Sequence, residues 1–253
     1  MIQENLTYPD NLNYRDPVSY MAARWFDEPF QADILSSVLS KDLHITTIDE
    51  DRYIHADFYY NNPDSSRTLI DAKICTRNFK VVDPNTKTVS YTDAIAIGEQ
   101  AFSSSAQLIS FVWRSALMTV SHDELRTLTP VSTRISKGFN GHSQTLYHYS
   151  VDSLLRLPDT IKYPLKKDVY NIYDEFYSIY ERAHNIIFDI PFPKTESEKV
   201  YVNSIRLRTL NNFREELIPL VKRYNSLSSH SEQTEAQPVN DFAMNLKNIL
   251  AGI

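Results

Sequence analysis

The chain has 253 residues, 42% of them hydrophobic, and a formal net charge of −6. That length suits one large domain, or a core with a helical appendage, and the acidic balance argues against a nonspecific nucleic-acid coat. Cys75 is the single cysteine, which leaves no internal disulfide. No run is long and apolar enough to span a bilayer, and the N-terminus lacks the basic and apolar regions of a signal peptide. A cytoplasmic protein is the expectation. The glycines, Gly98, Gly138, Gly141 and Gly252, form neither a phosphate-cradling loop nor a dinucleotide fingerprint. No Cys/His set has zinc spacing, and there is no Gly-x-Ser-x-Gly elbow.

Residues 1 to 15 read as irregular. Asp16-Pro17, a cap followed by proline in the first turn, opens a helix through Val18, Met21, Ala22 and Trp25. Asp27-Glu28-Pro29 restarts it, and Phe30, Ile34, Val38 and Leu39 give the next apolar stripe. Residues 43 to 48 are rich in β-formers and predict a first strand. Asp49-Glu50-Asp51 reads as a solvated turn.

Residues 57 to 73 predict two strands joined by Asn61-Asn62-Pro63-Asp64-Ser65-Ser66, a run dense in turn formers. Side chains two apart share a face. On the first strand Ile54, Ala56, Phe58 and Tyr60 oppose His55, Asp57 and Tyr59; on the second, Ile70, Ala72 and Ile74 oppose Asp71 and Lys73. The apolar faces can pack on a helix. Pairing the strands brings Asp57 near Asp71 and Lys73. Two carboxylates held that close repel and resist desolvation. A hard cation such as Mg²⁺ relieves both costs, taking oxygen ligands from the carboxylates, water and phosphate. Lys73 is placed to orient an attacking water or to stabilise transition-state charge.

Beyond Lys73, a turn falls at Asp83-Pro84-Asn85 and a helix is expected over roughly 91 to 105. Leu108 to Trp113 and Leu117 to Val120 predict two strands. Ser121-His122-Asp123-Glu124 has the pattern of a capping box opening a short helix, with His122 at the surface. Residues 131 to 149 suggest a hairpin turning at Asn140-Gly141, with Tyr147, His148 and Tyr149 as packing residues. Basic residues Arg67, Lys73, Arg77, Lys80 and Lys87, and then Arg134 and Lys137, could meet phosphates. Past Leu165 two helical stripes follow, through Val169 to Tyr180 and through Val202 to Val221. Ser226 to Pro238 has linker composition, and Phe242, Leu246, Ile249 and Leu250 mark a last amphipathic segment.

In the order helix, three strands, acid on the second, acid and lysine on the third, the chain resembles the PD-(D/E)xK nuclease superfamily, the restriction-endonuclease-like enzymes. Asp57 matches the first acid, Asp71 the second and Lys73 the lysine. Asp71-Ala72-Lys73 is the single acid-x-lysine run in the sequence. The chain departs from the pattern at Ala56, which stands where the family has proline; Pro63-Asp64 is a literal match but lies in the turn, leaving Asp64 as the fallback. The resemblance implies an α/β (α+β) fold, a mixed sheet flanked by helices with a helical C-terminal part. The resemblance covers roughly residues 15 to 130, giving an expected nuclease core over 1–160; periodicity and composition add a helical region over 161–225 packed on the core or a partner, a flexible linker over 226–238 and a C-terminal helix over 239–253. It further implies an Mg²⁺-dependent endonuclease (Mn²⁺ as substitute) leaving 5′-phosphates on DNA. Asp57, Asp71 and Lys73 would be catalytic, the ion would sit on Asp57 and Asp71, and Glu28 or Asp33 would complete the shell. A restriction-type homodimer fits cutting of both strands. The alternative is a catalytically silent nucleic-acid-binding or assembly protein on the same core.

Overall fold

Asp16 opens the first helix: its Oδ1 accepts the Ser19 N–H at 3.0 Å, and Pro17 needs no donor in the first turn. Helix α1 (Pro17–Ala22) runs through a π-helical segment (Ala23–Asp27) into α2 (Glu28–Leu39). Pro29 cannot donate within a regular helix, and the widened turn falls immediately before it. α2 stops at Ser40, which is left-handed at φ 51°. The computed structural model describes residues 2–4, 6–7, 16–46, 56–103, 106–137, 143–191, 193–227 and 237–238.

The strands that follow are β1 (Leu43–Ile45), β2 (Phe58–Asn61), β3 (Arg67–Lys73), β4 (Thr76–Val82), β5 (Val89–Gly98), β6 (Leu108–Trp113) and β7 (Ala116–Ser121). A short helix α3 (His122–Leu125) leads to β8 (Ser132–Lys137), β9 (Ser143–Ser150), α4 (Val151–Leu154) and β10 (Ile161–Pro164). Two long helices, α5 (Lys167–Phe188) and α6 (Glu196–Ser226), close the fold before a two-residue β11 (Gln237–Pro238). Among the described residues there is a seven-stranded sheet, β1-β2-β3-β6-β7-β10-β11, and a four-stranded sheet, β4-β5-β9-β8. The fold is therefore mixed α/β, with the expected helical C-terminal part.

β1, β2 and β3 form an antiparallel meander, and β6 lies parallel to β3 with Asp71 beside Ile109 and Lys73 beside Phe111. A parallel neighbour requires a crossover. Here the crossover is built from β4, β5 and a 3-10 turn at Glu99–Ser103, not from the helix expected over 91 to 105. Ile95 and Ile97 share a buried face, and β5 pairs with β9 from Ala94↔Ser150 to Gly98↔Leu146. Apolar Ala94 and Ala96 fill the alternate positions, which is why the segment lacks a clean two-residue period.

The principal core packs Phe58, Ile70 and Ala72 of the meander against Phe26, Phe30 and Ile34. It continues into Tyr173, Phe176, Phe213 and Tyr224 of α5 and α6, so the helical region packs on the sheet. Phe26 and Phe176 stack at 4.4 Å between centroids, an arrangement offset-stacked rings favour. α6 begins with a capping box: Thr195 Oγ1 accepts the Glu198 N–H at 3.2 Å, and Glu198 Oε2 accepts the Thr195 N–H at 3.2 Å. A second core, with Ile95, Ile109, Phe111 and Met118, joins the two sheets.

Three further expectations meet the structure directly. His122 is buried at 2% exposure rather than on the surface, with Nδ1 3.0 Å from the Ala106 carbonyl. Ser121 precedes α3 without a side-chain cap bond. Gln237 and Pro238, within the expected linker, pair with β10. The Asp49-Glu50-Asp51 turn, His55, the Asn140-Gly141 turn and the 239–253 segment lie outside the described residues. No helix among the described residues is long and apolar enough to cross a membrane.

Candidate metal and catalytic site

Phe58, the first residue of β2, lies opposite Ile70, and Asp57 precedes it in a bend. The Asp57 N–H donates to the carbonyl of that same Ile70 at 3.0 Å, so the ladder steps out of register here, as at a bulge, while the Asp57 carbonyl accepts the Thr46 N–H at 2.9 Å. The Asp57 side chain nonetheless reaches that of Asp71, with which it shares a hydrogen bond. Asp57 Oδ2 accepts the Ala72 N–H at 2.7 Å. Lys73 Nζ donates to Asp71 Oδ1. The three residues expected to converge therefore do so at the C-terminal end of β3.

The first-helix acids divide. Glu28 belongs to the cluster: its carboxylate lies 3.0 Å from Arg24 Nη1 and feels the charges of Asp57, Asp27 and Lys73. Asp33, about 140° further round the helix, accepts from Tyr224 Oη of α6 at 2.8 Å and serves that packing contact. Asp64, the fallback acid, is an exposed turn residue whose Oδ1 accepts from Ser66 N–H and Oγ.

Sequence reading passed over a fifth element of the site. Asp27, at the end of the π-helical segment, is 1% exposed. Tyr173 Oη donates to its Oδ1 at 2.6 Å and Gln31 Nε2 to its Oδ2 at 2.8 Å. Ser110 Oγ of β6 donates to Gln31 Oε1 at 2.6 Å, so a buried polar chain runs from α5 through α2 to the central parallel strand. The signal available in sequence was the Asp-Glu-Pro run itself. A proline within a helical stripe demands a local irregularity, and π-bulges concentrate at functional sites.

Asp27, Glu28, Asp57 and Asp71 are each no more than 9% exposed. Set against Arg24 and Lys73, they would leave the cluster with excess negative charge if all were ionised. Asp27, Glu28 and Asp71 respond by holding protons more tightly. Burial, then the Asp57 carboxylate, pushes Asp71 up to about 8 against the pull of Lys73. Burial pushes Asp27 up to about 7, opposed by the Tyr173 and Gln31 hydrogen bonds. Glu28 is raised by burial and by Asp57. Lys73 stays protonated: burial lowers it, but Asp71 and Asp57 more than compensate and raise it above its usual range. These are the conditions under which a divalent cation binds in exchange for protons. Among the described residues, no three His, Cys, Asp or Glu side chains form a ready-made metal cage.

The basic residues expected to meet phosphates are mostly engaged with the protein. Arg67 lies over the Tyr59 ring at 4.4 Å, Arg134 over Phe188 at 4.6 Å, and Arg77 bonds Asp174 at 2.6 Å. Lys87 Nζ donates to the Pro84 carbonyl at 2.7 Å. His148 and Tyr149 are buried packing residues. Comparison with family models, curated proteins and solved structures found no match to this chain.

Proposed function

We propose that the protein is a metal-dependent phosphodiesterase acting on DNA, with Asp57, Asp71 and Lys73 as its catalytic residues. The observation that carries this reading is the meeting of those side chains at the end of β3, where Lys73 donates to Asp71 and the Asp57 side chain hydrogen-bonds Asp71. The donor set fits Mg²⁺, a hard ion that commonly takes one or two carboxylates and completes its shell with water and substrate oxygens. Asp57 and Asp71 would hold it, with Glu28 as the first-helix acid. Bound there, the ion would polarise the phosphate and favour hydroxide over water.

The chain's own groups account for the rest. Lys73, kept cationic, orients the attacking water and stabilises charge building on the phosphoryl oxygens. The Ala72 N–H fixes the Asp57 carboxylate, so one oxygen keeps its orientation and the other remains for the ion. Gln31 ties the Asp27 carboxylate toward the Lys73 carbonyl, 3.5 Å from its Nε2, and thereby holds the end of β3 against α2.

The test is cleavage of supercoiled plasmid with Mg²⁺ or Mn²⁺. Wild type should produce nicked and linear DNA with 5′-phosphate ends. Lys73→Ala should slow cutting by about 100-fold or more, the loss typical of removing one transition-state donor. A correctly folded wild type that cuts neither DNA nor RNA with either metal contradicts the proposal and favours a silent nucleic-acid-binding or assembly protein on the same core.

A further inference from the structure

Past the candidate site, the chain opens a pocket of about 260 Å³ lined in part by Cys75, Arg77, Asn78, Trp113, Arg114 and Tyr170. It begins two residues beyond Lys73 on one strand and two beyond Phe111 on its parallel neighbour, about 7 Å of extended chain. Ligands of open α/β sheets characteristically bind in the crevice beyond the carboxyl ends of parallel strands. α5 joins the two places: Tyr173 donates to Asp27, and Tyr170, one turn earlier, lines the pocket.

The walls combine flat groups with cations and one carboxylate, Asp93. The Arg114 guanidinium lies over the Trp113 ring at 4.3 Å, and that of Arg77 over Tyr177 at 4.1 Å. Trp113 is fixed in place by donating Nε1–H to Asp93 Oδ2 at 2.8 Å, and Asp93 Oδ1 also accepts the Asn78 N–H at 3.0 Å. Arg77 uses Nη1 for Asp174, one of the five donors a guanidinium carries. Arg114 makes no ion pair among the described residues, its contact being the Trp113 ring. Both rim residues adopt left-handed backbone, Asn78 at φ 51° and Arg114 at φ 50°. Asn78 does so where the β4–β5 register shifts, and bulges of this kind re-aim side chains beside binding sites. Cys75 closes the floor; burial pushes its thiol up to about 12, so it serves as an apolar surface rather than a nucleophile.

We propose that this pocket binds one unpaired nucleotide, the base against the Trp113, Arg114 and Tyr170 surfaces and the phosphate on Arg77 and Arg114. Bases stack on aromatic and guanidinium planes in a sequence-tolerant way, and guanidinium forks match phosphate geometry. The volume falls below that of drug-sized ligand pockets, roughly 300–1,000 Å³, which suits one nucleotide unit better than a base pair. The choice of a nucleotide rests on the phosphodiesterase reading. Its source is either a free 5′-mononucleotide or a nucleotide of a single strand beside the scissile bond.

Calorimetry on the full chain without divalent metal tests this apart from cleavage. The probes are dAMP, deoxyadenosine, inorganic phosphate, a short single-stranded oligonucleotide and its duplex. dAMP and the single strand should bind, with deoxyadenosine, phosphate and duplex each at least about tenfold weaker. Arg114→Asn, chosen because asparagine tolerates left-handed backbone, should weaken dAMP binding about tenfold or more, as expected for losing a charged hydrogen-bond donor. Arg114→Lys should recover only part of it, since the charge returns without the plane. Tighter binding of dAMP than of the oligonucleotide identifies a free nucleotide as occupant; the reverse identifies the strand. No binding of either, equal binding of dAMP and phosphate, or an unchanged Arg114→Asn protein overturns the inference. Binding in a protein that cuts nothing upholds the pocket and contradicts the nuclease reading; cutting without binding does the opposite.

Discussion

At the end of β3, Asp27, Glu28, Asp57 and Asp71 lie buried beside one another with Arg24 and Lys73. On the α5–α6 pair the charges other than the buried Arg206 face outward instead: Arg182 meets Glu216 and Arg223 meets Glu175 at the surface, while Phe176, Phe213, Leu217 and Tyr224 fill the interior. The second arrangement follows from burial energetics alone, because apolar groups gain by leaving water and ions do not. The first runs against it. Buried charges of one sign destabilise a fold, and such groups concentrate at sites whose task requires them. The contrast separates positions held for stability from positions held for chemistry.

Substitutions should divide along that line. Phe176→Ala, in the fully buried interior, should cost about 3–5 kcal/mol by denaturant unfolding. Asp71→Asn should lower plasmid cutting about 100-fold, of the order found for removing one preorganised electrostatic group. Its metal-free stability at pH 8 should be no lower than wild type, because one buried negative charge disappears. A large stability loss in that variant would move Asp71 to the structural class.

The response to pH sharpens the contrast. Asp71 and Asp27 hold protons up to about 8 and about 7 in the folded protein, against a usual 3.8. Between those limits the native state binds more protons than the unfolded chain, so stability falls as pH rises. Their contribution to metal-free stability should decline from about pH 4 and level off above about pH 8. Mg²⁺ should displace the protons, so its stabilising increment, read as a shift in thermal midpoint, should grow through that range. An increment independent of pH would separate the ion from these carboxyls. The smallest effect belongs to Arg182→Ala, about 0.5 kcal/mol or less, checked by the same unfolding measurement.

Strand alternation made the Asp71–Lys73 pair legible, since side chains two apart share a face; Asp57 joins them from the bend before β2 and not from a ladder position. The helix pair and its proline-linked restart were equally local, written in Asp16-Pro17 and Asp27-Glu28-Pro29. What escaped depended on distant partners. Nothing near Asp27 in sequence announces Tyr173, 146 residues away, or Ser110 reaching Gln31 across 79 residues. β5 escaped because alanine and isoleucine alternate there, leaving both faces apolar. His122 escaped because burial against Ala106 and Phe102 is tertiary, and a cap-like run reads as surface.

The account rests on an ion held between Asp57 and Asp71, and a crystal structure with Mn²⁺, located by its anomalous signal, tests that directly. It predicts manganese bonded to carboxylate oxygens of both residues, with Lys73 Nζ nearby and outside the coordination shell. Manganese elsewhere, with the Asp57 and Asp71 carboxyls bonded to no metal, would contradict it.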